Sequence, residues 1–426
     1  MNNMTLSHEQ RSPIMSMGNI FLFIFAMYPY IFLINMLLPI DSIGFNFYFA
    51  STTIALAILF IVMLMRCQSK ATQQLVVFAV LIFFVFMLMH LFVEKSYSPS
   101  LIMSNRIGVT PIFYLFIAFA AIKIVGKNII SKIVVTNAFI QAVIGIVHYN
   151  FFSNIITGSE LVPEGQLYIV LEEFMYLREP GILESASLYA NMILLGIFIL
   201  GFNRKKDMTS IRIVINILMV MIMVYGISLS HSRYPAIVAF VFCGYIFLGY
   251  AKTYFKFNFI TVIILSVSIL VVSQSFSKYI YPEIDSMLTR LSYEGMGVRI
   301  MKNQMAMAVM LDSYTNLLIG ADAGYIGAVQ SDEGLGISDN SFLALGMNLG
   351  LIYFLFMLAI VCFLLVNTVK INFRGLFLLA YFTVNLFLTN SVYWDIYLLY
   401  FFATMYAINI LDFNEKRSEN NTVIAK

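Results

Sequence analysis

The chain has 426 residues, 61% of them apolar and only 11% charged, with a formal net charge of +3. Soluble proteins carry about a quarter charged residues, so this surface could not stay wetted by water, and the small net charge offers neither a basic nucleic-acid face nor an acidic tail. A polytopic membrane protein is the class that remains, with the lipid bilayer around it and nucleic acid excluded as a partner.

A transmembrane helix needs about 20 apolar residues to cross the hydrocarbon. Such runs lie at Met17–Leu38, Phe45–Met65, Leu75–Val93, Val109–Val125, Ile133–Phe152, Ser185–Phe202, Ile213–Ser230, Tyr234–Tyr250, Phe257–Ser275, Ser341–Val366, Leu376–Leu388 and Ile396–Leu411. They predict about twelve transmembrane helices, the last two short. The segment before the first run has no cleavage pattern and the run is long enough to stay as a span, so it reads as a retained first helix. Without water to satisfy the backbone, spans must be helices or closed barrels, and these runs are too continuous for barrel alternation. The predicted fold is therefore all-α, a polytopic membrane helix bundle forming a single transmembrane domain over residues 1–426.

Lysine and arginine orient the bundle, because they concentrate in cytoplasmic loops. With the N-terminus inside, the inner loops collect Lys123, Lys127 and Lys132, then Arg204, Lys205, Lys206 and Arg212, and later Lys370, Arg374, Lys416 and Arg417. Most of the acids fall on the other side. Both termini are then cytoplasmic. Two outer loops are long, residues 153–184 and the larger 276–340, while every inner loop is short. Recognition and chemistry are expected on the outer face.

The spans hold essentially no Asp, Glu, Lys or Arg; their main polar residues are His90, Gln141, His148, Asn348 and Asn385. An ion-coupled transporter usually places an ionisable group near the midplane, and none is evident here. His148, near the outer end of its helix, reads as an interfacial or hydrogen-bonded histidine rather than a catalytic one. Cys67, Cys243 and Cys362 are far apart beside apolar runs, which gives neither a disulfide framework nor a metal-ligand spacing. No metal and no cofactor is expected.

The outer arginines stand out against the positive-inside bias. Arg178 precedes a span in "MYLREPGILESASLYANMI". Arg233 lies in "YGISLSHSRYPAIVAF", a polar break between two spans that also holds Ser230 and Ser232. Arg299 opens an amphipathic helix on which Lys302 and Asn303 share its face at i+3 and i+4. A guanidinium carries a fixed fork of donors that matches phosphate oxygens bidentately, so this set suits the diphosphate of a lipid carrier. Snorkelling to headgroups, or pairing with nearby acids, is the alternative reading of the same residues.

Four segments in order resemble the O-antigen polymerase and ligase superfamily: "REPGILESASLYAN" (178–191), "SLSHSRYPAI" (228–237), "RIMKNQMAMAVMLDSYTNLLIGADAGY" (299–325) and "DNSFLALGMNLGLIYF" (339–354). The turn from Gly320 to Gly324 is looser than the family's closely spaced glycines, and Asp339 stands where ligase relatives carry a histidine. Polymerase is favoured over ligase, with a polytopic exporter of lipid-linked glycans as a further alternative. The resemblance implies a bacterial inner-membrane enzyme whose active face is periplasmic. Its substrates would be a lipid-linked oligosaccharide donor and a lipid-linked acceptor, both on undecaprenyl diphosphate, with a chain-length regulator protein as a further partner.

The mechanism implied is metal-independent glycosyl transfer. Arg178, Arg233 and Arg299 would hold the leaving diphosphate, helped by Ser230, Ser232 and Asn340. Asp339 is the first candidate base for the acceptor hydroxyl, followed by Glu179 and Glu184. Asp339 and Asn340 also precede Ser341 and an apolar run, which is how a helix N-cap is written, so a purely capping role stays open.

Overall fold

The computed structural model describes residues 19, 22–30, 126–152, 168–171, 174–177, 183, 185–203, 209–254, 310–320, 373–388 and 395–408, with single helical positions between 114 and 125, 303 and 308, and 343 and 355. Seven helices are bounded among them: α1 Lys127–Val147, α2 Ala186–Phe202, α3 Ser210–Leu229, α4 Arg233–Tyr254, α5 Tyr314–Ile319, α6 Phe373–Leu388 and α7 Asp395–Ala407. Lys127–Phe151 and Ser210–Leu229 are long and apolar enough to cross a membrane; Ala186–Phe202, Tyr234–Tyr250, Arg374–Leu386 and Tyr397–Ala407 are shorter apolar helices. The expected runs near residues 133, 185, 213, 234, 376 and 396 are thus helical, and the others lie wholly or largely outside the described residues.

Three features depart from the expected pattern. The first run is not one uniform helix, since residues 22–27 are α-helical but Tyr28–Tyr30 form a 3-10 turn at the proline of "YPY". The all-α expectation also misses an antiparallel hairpin in the first long loop, β1 Tyr168–Leu171 with β2 Phe174–Leu177, pairing Tyr168 with Leu177 and Leu171 with Phe174. Its "YIVL" and "FMYL" strands carry the aromatic and β-branched residues that fit a pleated ribbon. Finally, α1 begins at Lys127, after Gly126 at φ +94°, and ends in a π turn at His148–Phe152.

The chain gathers into two compact units. One takes in residues before Pro29, residues 50–131 and everything from Arg299 onward. In it α7 is buried from Tyr397 to Ile408, with Phe382 of α6 stacked on Phe401 at a centroid distance of 4.4 Å. The Tyr400 hydroxyl donates to the Phe25 carbonyl at 2.7 Å while their rings stack, and the Tyr28 and Tyr114 hydroxyls share a buried hydrogen bond of 2.9 Å. Each of these tyrosines brings its own polar tip to a partner, as burial away from water requires.

The other unit, residues 29–49 and 132–298, holds most of α1 and all of α2, α3 and α4. Its centre is α2, apolar all round and buried along nearly its whole length, which marks a helix enclosed by others. Ser185 starts it by accepting the Leu188 N–H at 3.1 Å, a side-chain N-cap. Glycines then set how close the neighbours come. A Cβ on Gly196 would overlap Ala138 of α1, one on Gly201 would meet Phe242 and Ile246 of α4, and one on Gly226 of α3 would lie 3.1 Å from the Tyr189 hydroxyl. Gly145 faces Tyr189 while Ala138 faces Gly196, so α1 and α2 run antiparallel. At the Asn203 end of α2 an aromatic cluster closes the unit, with Phe242 edge-on to both Phe198 and Phe202 at 5.0 and 4.8 Å.

The outward faces are the reverse of a soluble protein's. Ile211 is 74% exposed and Val241 66%, and Val214, Leu218 and Met221 of α3 and Ile237, Phe240 and Leu248 of α4 are also exposed. Their spacing continues one apolar stripe along each helix. Such contiguous apolar surface is compatible with lipid.

Candidate functional site

Because α1 and α3 run one way and α2 and α4 the other, the C-terminal ends of α1 and α3 and the N-terminal ends of α2 and α4 come to the same end of this unit. The sequence is polar at each of them: His148 on α1, Ser187 and Asn191 on α2, Ser228 and Ser230 on α3, and Ser232 before α4. His148, Asn191, Ser230, His231 and Ser232 are all buried.

The corner between α3 and α4 is built by its own side chains. Ser228 Oγ donates to the Tyr225 carbonyl at 2.7 Å and Ser230 Oγ to the Ile227 carbonyl at 2.6 Å, so each hydroxyl folds back onto a carbonyl of the last turn of α3. Ser230 Oγ also accepts the Ser232 N–H at 3.1 Å. Between them His231 takes a left-handed backbone, φ +49°, and is the non-glycine residue at positive φ among the described residues. Glycine usually occupies that place after a helix, and an L-residue there costs roughly 1–2 kcal/mol. The Ser232 carbonyl then accepts the Ala236 N–H at 3.1 Å and α4 begins. Pro235 sits in that first turn, where no N–H is needed.

Ser232 ties this corner to α2. Its hydroxyl lies 3.3 Å from that of Ser187, and the Ser187 carbonyl accepts the Asn191 amide at 2.8 Å. The break that separates two apolar runs in the sequence is therefore a packed joint between three helices. Ser230 and Ser232, expected as diphosphate ligands, are both in it, and both hydroxyls already take part in its hydrogen bonds. Arg233 is the first residue of α4, and only its backbone is described.

The remaining expected site residues, Arg178, Glu179, Glu184, Arg299, Asp339 and Asn340, lie outside the described residues. The helix expected after Arg299 is represented by helical positions 303, 304, 307, 308, 310 and 311. Ser313 then caps α5 by accepting the Asn316 N–H at 3.0 Å, and α5 ends at Gly320 with φ +107°. The first glycine of the Gly320–Gly324 segment is thus in the conformation that glycine alone adopts freely.

Ser187, Asn191 and His231 belong to the polar end although sequence reasoning gave them no role. The signal for Ser187 and Asn191 was their i, i+4 spacing at the start of an apolar helix, which puts both on one face. His148, read as an interfacial histidine, is 4% exposed and opens the π turn of α1. No protein-family model, curated protein or solved structure matches this chain.

Proposed function

We propose that the protein is an integral membrane glycosyltransferase that polymerises undecaprenyl-diphosphate-linked repeat units at the periplasmic face of the bacterial inner membrane, with both termini cytoplasmic. The observation that carries this reading is the polar joint of Ser187, Ser230, His231 and Ser232, with Arg233 starting α4, at one end of a helix cluster whose outward faces are apolar. Polar groups inside a membrane bundle are costly to place and mark where polar substrate meets the protein.

In the proposed reaction a hydroxyl on the acceptor's terminal sugar attacks the anomeric carbon of the donor. The bond from that carbon to the diphosphate oxygen breaks, and the diphosphate lipid leaves with the electron pair. Arg178, Arg233 and Arg299 neutralise that developing charge, with Asn340 and Ser232 as hydrogen-bonding partners, and Asp339, Glu179 or Glu184 takes the hydroxyl proton. Ser230 contributes chiefly by fixing the joint, because its hydroxyl proton is held by the Ile227 carbonyl.

The test is reconstitution of the purified protein into vesicles with lipid-linked repeat units and no other protein. Polymer ladders are the expected product. Single transfer to a lipid A-type acceptor would make it a ligase, and movement of the units across the bilayer without new glycosidic bonds would make it a carrier.

A further inference from the structure

The stretch that runs from the helical positions 303–311 through α5 leaves four large apolar side chains exposed in succession, Met307, Leu311, Tyr314 and Leu318. Tyr314, at 87%, is the most exposed large apolar residue among the described residues. The four form two i, i+4 pairs, Met307 with Leu311 before the Ser313 cap and Tyr314 with Leu318 after it, so each short helix turns an apolar strip outward. Upstream, residues 295–311 carry Arg299 and Lys302 and no acid.

The other side of this stretch is tied to a helix. Met310 is half-buried, and its sulfur stands 3.3 Å from where a Cβ on Gly346 would lie. Gly346 is itself buried and helical, and it follows the start of the apolar run Ser341–Val366 by five residues. On a helix that is about 8 Å along the axis. The contact therefore sets a height: the stretch lies beside the first turns of an expected span, at the level where that span leaves the hydrocarbon. Glycine at 346 is what lets the methionine come so near, since any side chain there would crowd the sulfur.

We infer that residues 303–319 lie in the plane of the membrane surface, with Met307, Leu311, Tyr314 and Leu318 set among lipid headgroups and upper acyl chains. An in-plane amphipathic helix sinks its apolar side about 5–10 Å into that boundary and is drawn to anionic lipid by basic residues, which is the depth that Met310 fixes and the charge that Arg299 and Lys302 supply. Tyrosine suits the same level, its ring being apolar and its hydroxyl wet. A soluble partner would meet the strip above the membrane, whereas the Gly346 contact holds it at the membrane's own height. The side is the outer one, where the lysine and arginine distribution puts this loop, and the docked stretch keeps the chain after Arg299 level with the boundary. The inference is independent of whether the protein transfers sugars.

The experiment introduces Tyr314→Trp into the full chain, in nanodiscs of phosphatidylethanolamine and phosphatidylglycerol, and follows the emission gained over wild type, whose own tryptophan is Trp394. Phospholipid brominated high on its acyl chains is expected to quench the added emission by about half, and aqueous iodide to quench it much less. Quenching by iodide that equals or exceeds quenching by the brominated lipid would put the stretch in water, and quenching by neither would put it under protein, another part of the chain or a second copy. Either result overturns the inference and leaves the polymerase reading intact. Leu311→Trp and Leu318→Trp carry the same measurement, so a folding defect at one position does not decide the outcome.

Discussion

The hydroxyl of Tyr189 occupies the space that the missing side chain of Gly145 leaves on α1, so that a Cβ there would overlap the phenol ring. This contact sets the separation of α1 and α2 at the polar end of their unit. Gly145→Ala is expected to destabilise the protein by about 1–3 kcal/mol, as overpacking of a closed interface does. Tyr189→Phe in the same chain should restore only part of that, since the ring carbons also crowd the new methyl. Thermal unfolding of the single and double variants in detergent checks both statements.

Ser187 and Ser232 form a second link, between α2 and the joint before α4. Ser187→Ala or Ser232→Ala should each cost roughly 1 kcal/mol. The double variant should cost little more than the worse single, because both remove the same bond. Strict additivity in denaturant unfolding would mean that the two hydroxyls act through other partners.

His231 provides a test of backbone conformation. At φ +49° asparagine is tolerated and a β-branched residue is not. His231→Asn should therefore stay near wild-type stability, whereas His231→Val should lose roughly 1–3 kcal/mol. Equal melting temperatures for the two variants would contradict a left-handed joint.

Arg233→Lys should lower polymerisation nearly as far as Arg233→Ala, on the order of 10²-fold, while membrane abundance stays normal. Lysine keeps the charge but loses the bidentate fork on which the proposed diphosphate contact depends. A cation that only snorkels to headgroups would accept lysine silently. Arg290→Lys, in the part of the second long loop without a motif, is the internal control and should remain active.

Reporter fusions after residues 165 and 310 should read periplasmic and fusions after 207 and 420 cytoplasmic. A cytoplasmic signal at 310 would move the larger loop, with Arg299 and Asp339, to the wrong side for a periplasmic substrate.

Much of the helical scaffold was legible in the sequence because its causes are local. The apolar run Ser185–Phe202 locates α2 to within a residue, its first residue proving to be the N-cap, and the runs beginning near 213 and 234 locate the starts of α3 and α4 within a turn. Orientation was less accessible. In a chain whose outward and partner-facing sides are both apolar, periodicity does not reveal which face is buried, so the sequence alone could not show that Gln141 and Asn191 point inward while Ile211 and Val241 point out. The turn at Tyr28–Tyr30 and the hairpin at 168–177 do have their signals in the sequence, the proline of the turn and the β-branched and aromatic residues of the strands, but the length of an apolar run registers neither. The joint at Ser230–Ser232 reads in the sequence as a gap between two spans. It becomes a buried three-helix contact only through Ser187, 45 residues away from Ser232 along the chain, because a hydroxyl taken out of water must find its partner wherever packing brings one.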